Sequence, residues 1–452
     1  MSLHYPLATT FPIGGDAASH IRVAQTIQAI TATPHDAWVA LKTSNYPLAQ
    51  ILFAVFGTLP LAWPESFVWW MAAGHILTGA ALGLLLWRLG SWRAAAAGIA
   101  IWALTPVGIN THFEDGTAPQ LFSLIFLVLA FERLIAGSAW GLLLAVAATA
   151  FPHPLSGFIL LASLILGVII VYPIRRYLAP NQARTVKYLS GLLVLLVIAA
   201  AARAASGLDW PQAQAESYFF ILDALRSKFA PWIVLSIPGL AVLTSRLRRS
   251  LHASASLLAF MWLAFLLTTN SNFAAGLWEN RFRTYFILSV TVAASLALPR
   301  LLASAFRHPL SRFLFIILLF ASVASLTWRD TEAVYSFYEN PKNHARLHPS
   351  VASAISWMSE NLPPGSFVAS TAASRHTEWI PALTRLPWQE VNAGHDLLTK
   401  GGSELVQAAE ASPFTHLIFL TDHENVPPNI SAQPDAFPVI FANDAAIVFR
   451  LP

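Results

Sequence analysis

The sequence predicts an α-helical polytopic membrane protein, with about ten transmembrane helices and a C-terminal extracytoplasmic α/β domain. Three observations predict it. Only 11% of the 452 residues are charged while 56% are hydrophobic, and mean hydropathy is +0.57. A soluble domain carries about 25% charged residues. Residues 66–328 form a succession of apolar runs, many near the roughly 20 residues that cross a hydrocarbon core. After Trp328 charges, prolines and short apolar runs mix, as in soluble domains.

The first 65 residues read as an outer segment with interfacial helices. The opening MSLHYPLATTFPIGGD has neither a basic start nor an apolar run, so no cleavable signal is expected. An amphipathic stretch, IRVAQTIQAI, follows His20. Segment 46–63 is apolar, but Pro47 and Pro60 bracket it too closely for a span, and it reads as interfacial or half-embedded.

The membrane domain, 66–328, holds candidate spans at 66–87, 94–110, 117–136, 155–173, 186–205, 251–270, 282–300 and 312–328, with shorter ones at 139–152 and 231–245. One alternating set of loops carries thirteen of the 27 basic residues (Arg88, Arg93, Arg133, Arg175, Arg176, Arg184, Lys187, Arg246, Arg248, Arg249, Arg300, Arg307, Arg312) with Glu132 among them. By the positive-inside rule that set faces the cytoplasm. The other set carries Glu114, Asp115, Asp209, Glu216, Asp223 and Glu279, with Arg203, Arg226, Lys228, Arg281 and Arg283. The N-terminal segment and residues 329–452 then lie outside. The expected location is the inner cell membrane, multi-pass.

Within 329–452, residues 350–361 have helical spacing and stop at Pro363-Pro364-Gly365. Residues 366–370, 415–420 and 437–442 read as short buried strands, and 445–451 returns as a hairpin. A helix at 403–412 between strands implies a partly parallel sheet.

Composition also excludes chemistries. The net charge of +4 leaves no polybasic patch for nucleic acid, and with no cysteine there are no disulfides or thiolate sites. No P-loop, dinucleotide fingerprint, HExxH or GxSxG is present.

Four polar clusters fall on the outer side. Asp16 in GGDAASHI stands where a helix N-cap would be, its charge favoured by the helix dipole, with His20 one turn on; the cap is the leading reading. His112, Glu114 and Asp115 share a tight loop suited to a cation, to acid–base chemistry, or simply to a solvated turn. His153 lies between Pro152 and Pro154, most simply as an exposed His on a rigid turn. Arg281 and Arg283, flanked by Trp278 and Tyr285, stand against the positive-inside bias. Arginine suits phosphate, although the aromatic residues would also fit an interfacial anchor. His75 is an ionisable residue within a span and reads as bonded across helices.

In order, the chain shows an outer Asp, the Tyr46-Pro47-Leu48 segment, the spans, the acidic Glu114-Asp115 loop, and the stretches SENLPPGSFVAS and Glu378-Trp379-Ile380-Pro381-Ala382-Leu383-Thr384-Arg385. This layout resembles the C-type-fold membrane glycosyltransferases, especially prokaryotic members using polyprenyl-phosphate sugars. In that family a first helix precedes the catalytic Asp; here no apolar run precedes Asp16. The resemblance implies that Asp16 is the catalytic base and that Glu114 or Asp115 orients the acceptor or a divalent cation. His20, His112, His153, Arg281 and Arg283 would contact substrate. Expected partners are a lipid-linked sugar donor, membrane lipid and an unspecified acceptor, with no nucleic acid. The alternatives are a transporter or flippase for a lipid-linked or anionic solute, and a non-catalytic scaffold.

Overall fold

The computed structural model describes residues 16–31, 33–44, 46–104, 118–171, 230–246, 251–269, 280–306, 308–338, 347, 349–371, 375–392, 394–421 and 425–452. The membrane part is helical. Helices α1 (Ala17–Gln28), α2 (Pro34–Thr43) and α3 (Pro47–Phe56) precede the long α4 (Trp63–Leu89). Then come α5 (Trp92–Leu104), α6 (Ala118–Ile135), α7 (Ala139–Ala150) and α8 (Pro154–Val171). The series ends with α9 (Ala230–Arg246), α10 (Leu251–Thr269), α11 (Asn280–Ala305) and α12 (Pro309–Tyr338).

Several prolines open these helices where they cost least, while Pro238 and Pro299 lie inside α9 and α11. Pro47, Pro64, Pro154 and Pro309 occupy first turns, where no N–H partner is lost. Each expected span that falls on described residues coincides with a helix, and 186–205 lies outside them. Among the described residues, four helical stretches are long and apolar enough to cross a membrane: Trp63–Leu89, Ala118–Ile135, Pro154–Val171 and Phe282–Ala305. Shorter apolar helices, among them Trp92–Leu104, Ala139–Ala150 and Pro309–Ser325, accompany them. The large exposed side chains on these helices are apolar, such as Ile76, Leu144, Phe158, Ile169 and Leu318. That is a lipid-facing surface.

Close packing uses small residues. A Cβ on Gly239 of α9 would lie 1.8 Å from the Ala293 carbonyl oxygen of α11, and one on Gly167 of α8 would lie 2.0 Å from Ser256 Oγ of α10. Backbone approach of this kind is how helices associate in lipid, where apolar burial offers no gain.

The C-terminal part follows α13 (Pro349–Asn361). Five strands, β1 (Val368–Thr371), β2 (Trp388–Val391), β3 (His416–Phe419), β4 (Val439–Ala442) and β5 (Ile447–Arg450), pair in the order β2-β1-β3-β5-β4. β1 is parallel to β2 and β3, and β5 is antiparallel to β3 and β4. Helices α14 (Trp379–Thr384), α15 (Asp396–Thr399), α16 (Gly402–Glu410) and α17 (Pro428–Ser431) connect them. Strand β2 was not expected. Its WQEV sequence is an exposed edge with only Val391 buried, so hydropathy does not mark it.

Alternation along the strands gives each face its own core. Ala369, Leu417, Phe419 and Phe449 pack with Leu397, Leu405 and Ile430. Val368, Ile418 and Val448 join α13, α14 and the helical core as one continuous cluster. α14 packs on α1, and Gln25 Nε2 donates 2.8 Å to the Ala382 carbonyl.

Candidate functional site

The N-terminal ends of α3, α4, α8 and α11 meet at one edge of the helical body, next to α1. The contacts that join them are polar and aromatic. Gln50 on α3 donates its amide N–H to Nδ1 of His20 on α1, at 2.5 Å. An amide nitrogen can only donate, so Nδ1 accepts and the imidazole proton sits on Nε2. His20 is buried between Tyr46 and Phe67, with ring centroids 6.2 and 6.0 Å away.

Tyr46 stacks on His153 at 5.5 Å and 13°. His153 Nδ1 accepts the Ser156 N–H at 3.3 Å and lies 3.0 Å from Ser156 Oγ. Its proton is therefore on Nε2 as well. Ser156 Oγ is 2.6 Å from the Tyr285 hydroxyl, bridging α8 to α11. Tyr285, Ser156 and His153 thus form a buried hydrogen-bonded row, polarised toward the imidazole if Tyr285 donates.

Asp16 is exposed at the start of α1. Its backbone is already helical and its side chain caps no N–H, so the simple cap reading fails. Its carbonyl accepts the His20 N–H at 3.0 Å. The structure therefore places Asp16 on the same helical turn as His20, with one exposed and the other buried. Arg283 is half-buried in the first turn of α11, two residues before Tyr285. His112, Glu114 and Asp115, and the side chain of Arg281, lie outside the described residues.

Two readings of the sequence change. His153 is not an exposed turn residue: it is 4% exposed and bonded. Tyr285 is not an interfacial anchor: it is fully buried and bonded to Ser156. Gln50 and Ser156 escaped sequence reasoning altogether. The only signal for either is a polar residue near the start of an apolar helix.

Three further groups here are buried with no partner among the described residues: Gln50 Oε1, Ser66 Oγ on α4 and Thr284 Oγ1 on α11. An unmet buried polar atom costs about 1–3 kcal/mol, so such atoms are rare without a reason. Helix N-termini carry partial positive charge, and four point to this edge. The arrangement can hold an anion and hydrogen-bond a hydroxyl-rich molecule. Among the described residues no group of three or more His, Asp or Glu could hold a metal ion.

The other end of the bundle is built differently. Glu132, fully buried at the end of α6, lies 2.5 Å from Arg88 Nε of α4 and 2.7 Å from Arg133 Nε. This ion pair ties the C-terminal ends of α4 and α6 and explains the one acid among the basic loops. Midway along α4, His75 stacks on Trp102 at 5.0 Å, and Trp102 Nε1 donates to the His75 carbonyl. The expected cross-helix bond from the imidazole itself is not made among the described residues: both ring nitrogens lack a partner.

No family model and no curated protein matches the chain. Solved structures do. ArnT from Cupriavidus metallidurans in the apo state superposes with a TM-score of 0.56 at 15% identity, covering 95% of this chain and 93% of that one. The archaeal oligosaccharyltransferase AglB from Archaeoglobus fulgidus, in complex with an inhibitory peptide and a dolichol-phosphate, gives 0.59 at 14% identity. There 91% of this chain is covered, and this chain spans 66% of the AglB length. The Archaeoglobus fulgidus enzyme in complex with Zn and sulfate gives 0.57 at 14% identity, covering 91% of this chain and 64% of that one. The shared fold is the C-type glycosyltransferase fold, in agreement with the resemblance read from the sequence.

Proposed function

We propose that this chain, which carries the C-type fold, transfers a sugar from a polyprenyl-phosphate donor to an acceptor hydroxyl outside the cytoplasm. The observation that carries the reading is the buried His153–Ser156–Tyr285 row with Tyr46 stacked on His153, at the meeting point of four helix N-termini next to the helix that bears Asp16 and His20. The fold shared with a dolichol-phosphate-bound oligosaccharyltransferase supports it.

In this reading the donor phosphate sits against the helix N-termini, near Arg281 and Arg283. The Nε2–H of His153 donates to a phosphate oxygen, held in that tautomer by Ser156. The acceptor hydroxyl attacks the anomeric carbon and its proton passes to the Asp16 carboxylate. The bond from the anomeric carbon to the phosphate oxygen breaks, and the lipid phosphate leaves with the pair, stabilised by the same positive groups. One in-line displacement inverts the anomeric centre. Glu114 or Asp115 orients the acceptor or a divalent cation. The domain arrangement that serves this is an outer segment (1–65), a membrane domain (66–328) and an extracytoplasmic α/β domain (329–452) flanking the acceptor entrance.

The test is Asp16→Asn, purified with its thermal unfolding unchanged and assayed for transfer from a polyprenyl-phosphate sugar. Loss of about 10²-fold or more is expected for a general base. Full activity in a folded variant would remove Asp16 from that role.

A further inference from the structure

The C-terminal sheet carries an open cavity of about 760 Å³ beside the end of α13. Its walls come from the end of α13, the turn after it, and the ends of β3 and β5. Trp357 and Asn361 stand on α13, Pro363-Pro364-Gly365 forms the turn, and Phe414, His416 and Arg450 close the far side. This place is distinct from the Asp16–His153 edge, and no step of the proposed reaction uses it.

The chemistry of the lining is specific. His416 and Arg450 are directly opposed in the β3–β5 pair, so their side chains share a face. No Asp or Glu lines the cavity. The Arg450 guanidinium makes no ion pair among the described residues and is solvent-exposed. Thr415 Oγ1 accepts the Phe367 N–H at 2.8 Å and lies 2.8 Å from His416 Nδ1, which fixes the imidazole in the wall. Burial, and then Arg450, push the His416 pKa down, leaving Arg450 as the fixed positive charge. Trp357 is held on one side by Phe441, with ring centroids 4.9 Å apart. The Asn361 amide N–H is taken by the Trp357 carbonyl, which leaves its side-chain oxygen as an acceptor. Gly365, at φ +91°, makes the sharp turn that walls the cavity.

Aromatic surface, amide and hydroxyl acceptors and one guanidinium suit a ligand with an apolar C–H face, several hydroxyls and an anion. We propose that this cavity binds an acidic saccharide, with Arg450 pairing its anionic group and Trp357 packing on the sugar face. The anion is a carboxylate or a phosphate, since guanidinium serves both.

Calorimetric titration of the full chain in detergent micelles tests this. The probes are tetragalacturonate, neutral cellotetraose and inorganic phosphate, against wild type and Arg450→Gln. Tetragalacturonate is expected to bind at least tenfold tighter than cellotetraose, and Arg450→Gln to remove that preference. If inorganic phosphate competes with tetragalacturonate and is lost in the same variant, the anion subsite accepts phosphate; if phosphate does not compete, it is a carboxylate site. Asn361→Ala should weaken tetragalacturonate and cellotetraose equally. Equal binding of the two oligosaccharides, no binding of either, or unchanged binding to a folded Arg450→Gln protein would overturn the proposal.

Discussion

Tyr285 shows how a single hydroxyl can organise a site. It is fully buried, and its hydroxyl reaches across to another helix, to Ser156. Tyr285→Phe keeps the ring and removes the bond. It should cost about 1 kcal/mol of stability and lower transfer by about tenfold through a less firmly positioned Ser156 hydroxyl and His153 ring, a loss of about 1.4 kcal/mol at the barrier. Thermal unfolding and a transfer assay on the same preparation check both. A fall in stability with full activity would separate the row from the reaction. His416 offers a pH test in the C-terminal sheet. Its pKa lies below the ordinary 6.5 when folded. The unfolded chain therefore binds a proton first as pH falls, and this stabilisation is complete above about 6.5 and lost below it. The difference in melting temperature between wild type and His416→Gln should be constant above that pH and change below it. At this scale the residue types were legible in the sequence, as with His20, His153 and Arg283. Which of them are buried and bonded was not, because a histidine between two prolines reads the same exposed or enclosed.

Elements were more legible than their contacts. Apolar length marked the helices, and proline placed their starts, since the first turn has no N–H bond to lose. Strand β2 escaped because edge strands carry polar residues for their own solubility. Helix neighbours also left little trace. Gly239 looks like any glycine in an apolar run, yet its Cα faces the backbone of Ala293. Gly239→Leu should force α9 from α11 and destabilise the protein by about 1–3 kcal/mol or more. A melting temperature within error of wild type would refute this contact.

At the scale of the whole molecule, the C-terminal part is continuous with the helical body. Trp379 and Ile380 are buried where α14 meets α1, and Gln25 bonds across that junction. α1 also carries Asp16 and His20, so the junction and the candidate site share one helix. Gln25→Ala should loosen the C-terminal part without unfolding it. Limited proteolysis should then cut between α12 and β1 several-fold faster, with the melting temperature shifted little. Equal cutting rates would mean that apolar packing alone sets the junction.

The sequence by itself determined the class of the protein. Sparse charge and repeated apolar length point to helices in lipid, and alternating basic loops predict an orientation. Short motifs in order were enough to point to the C-type fold. Only the tertiary structure decided which N-termini meet and which histidines are enclosed, and it alone showed that Tyr46, just before α3, stacks on His153, just before α8. The reason is physical. Hydrophobicity and turn chemistry act over a few residues and are written locally. A site assembled from four helices depends on crossing contacts between residues up to 129 positions apart, and no local pattern records those.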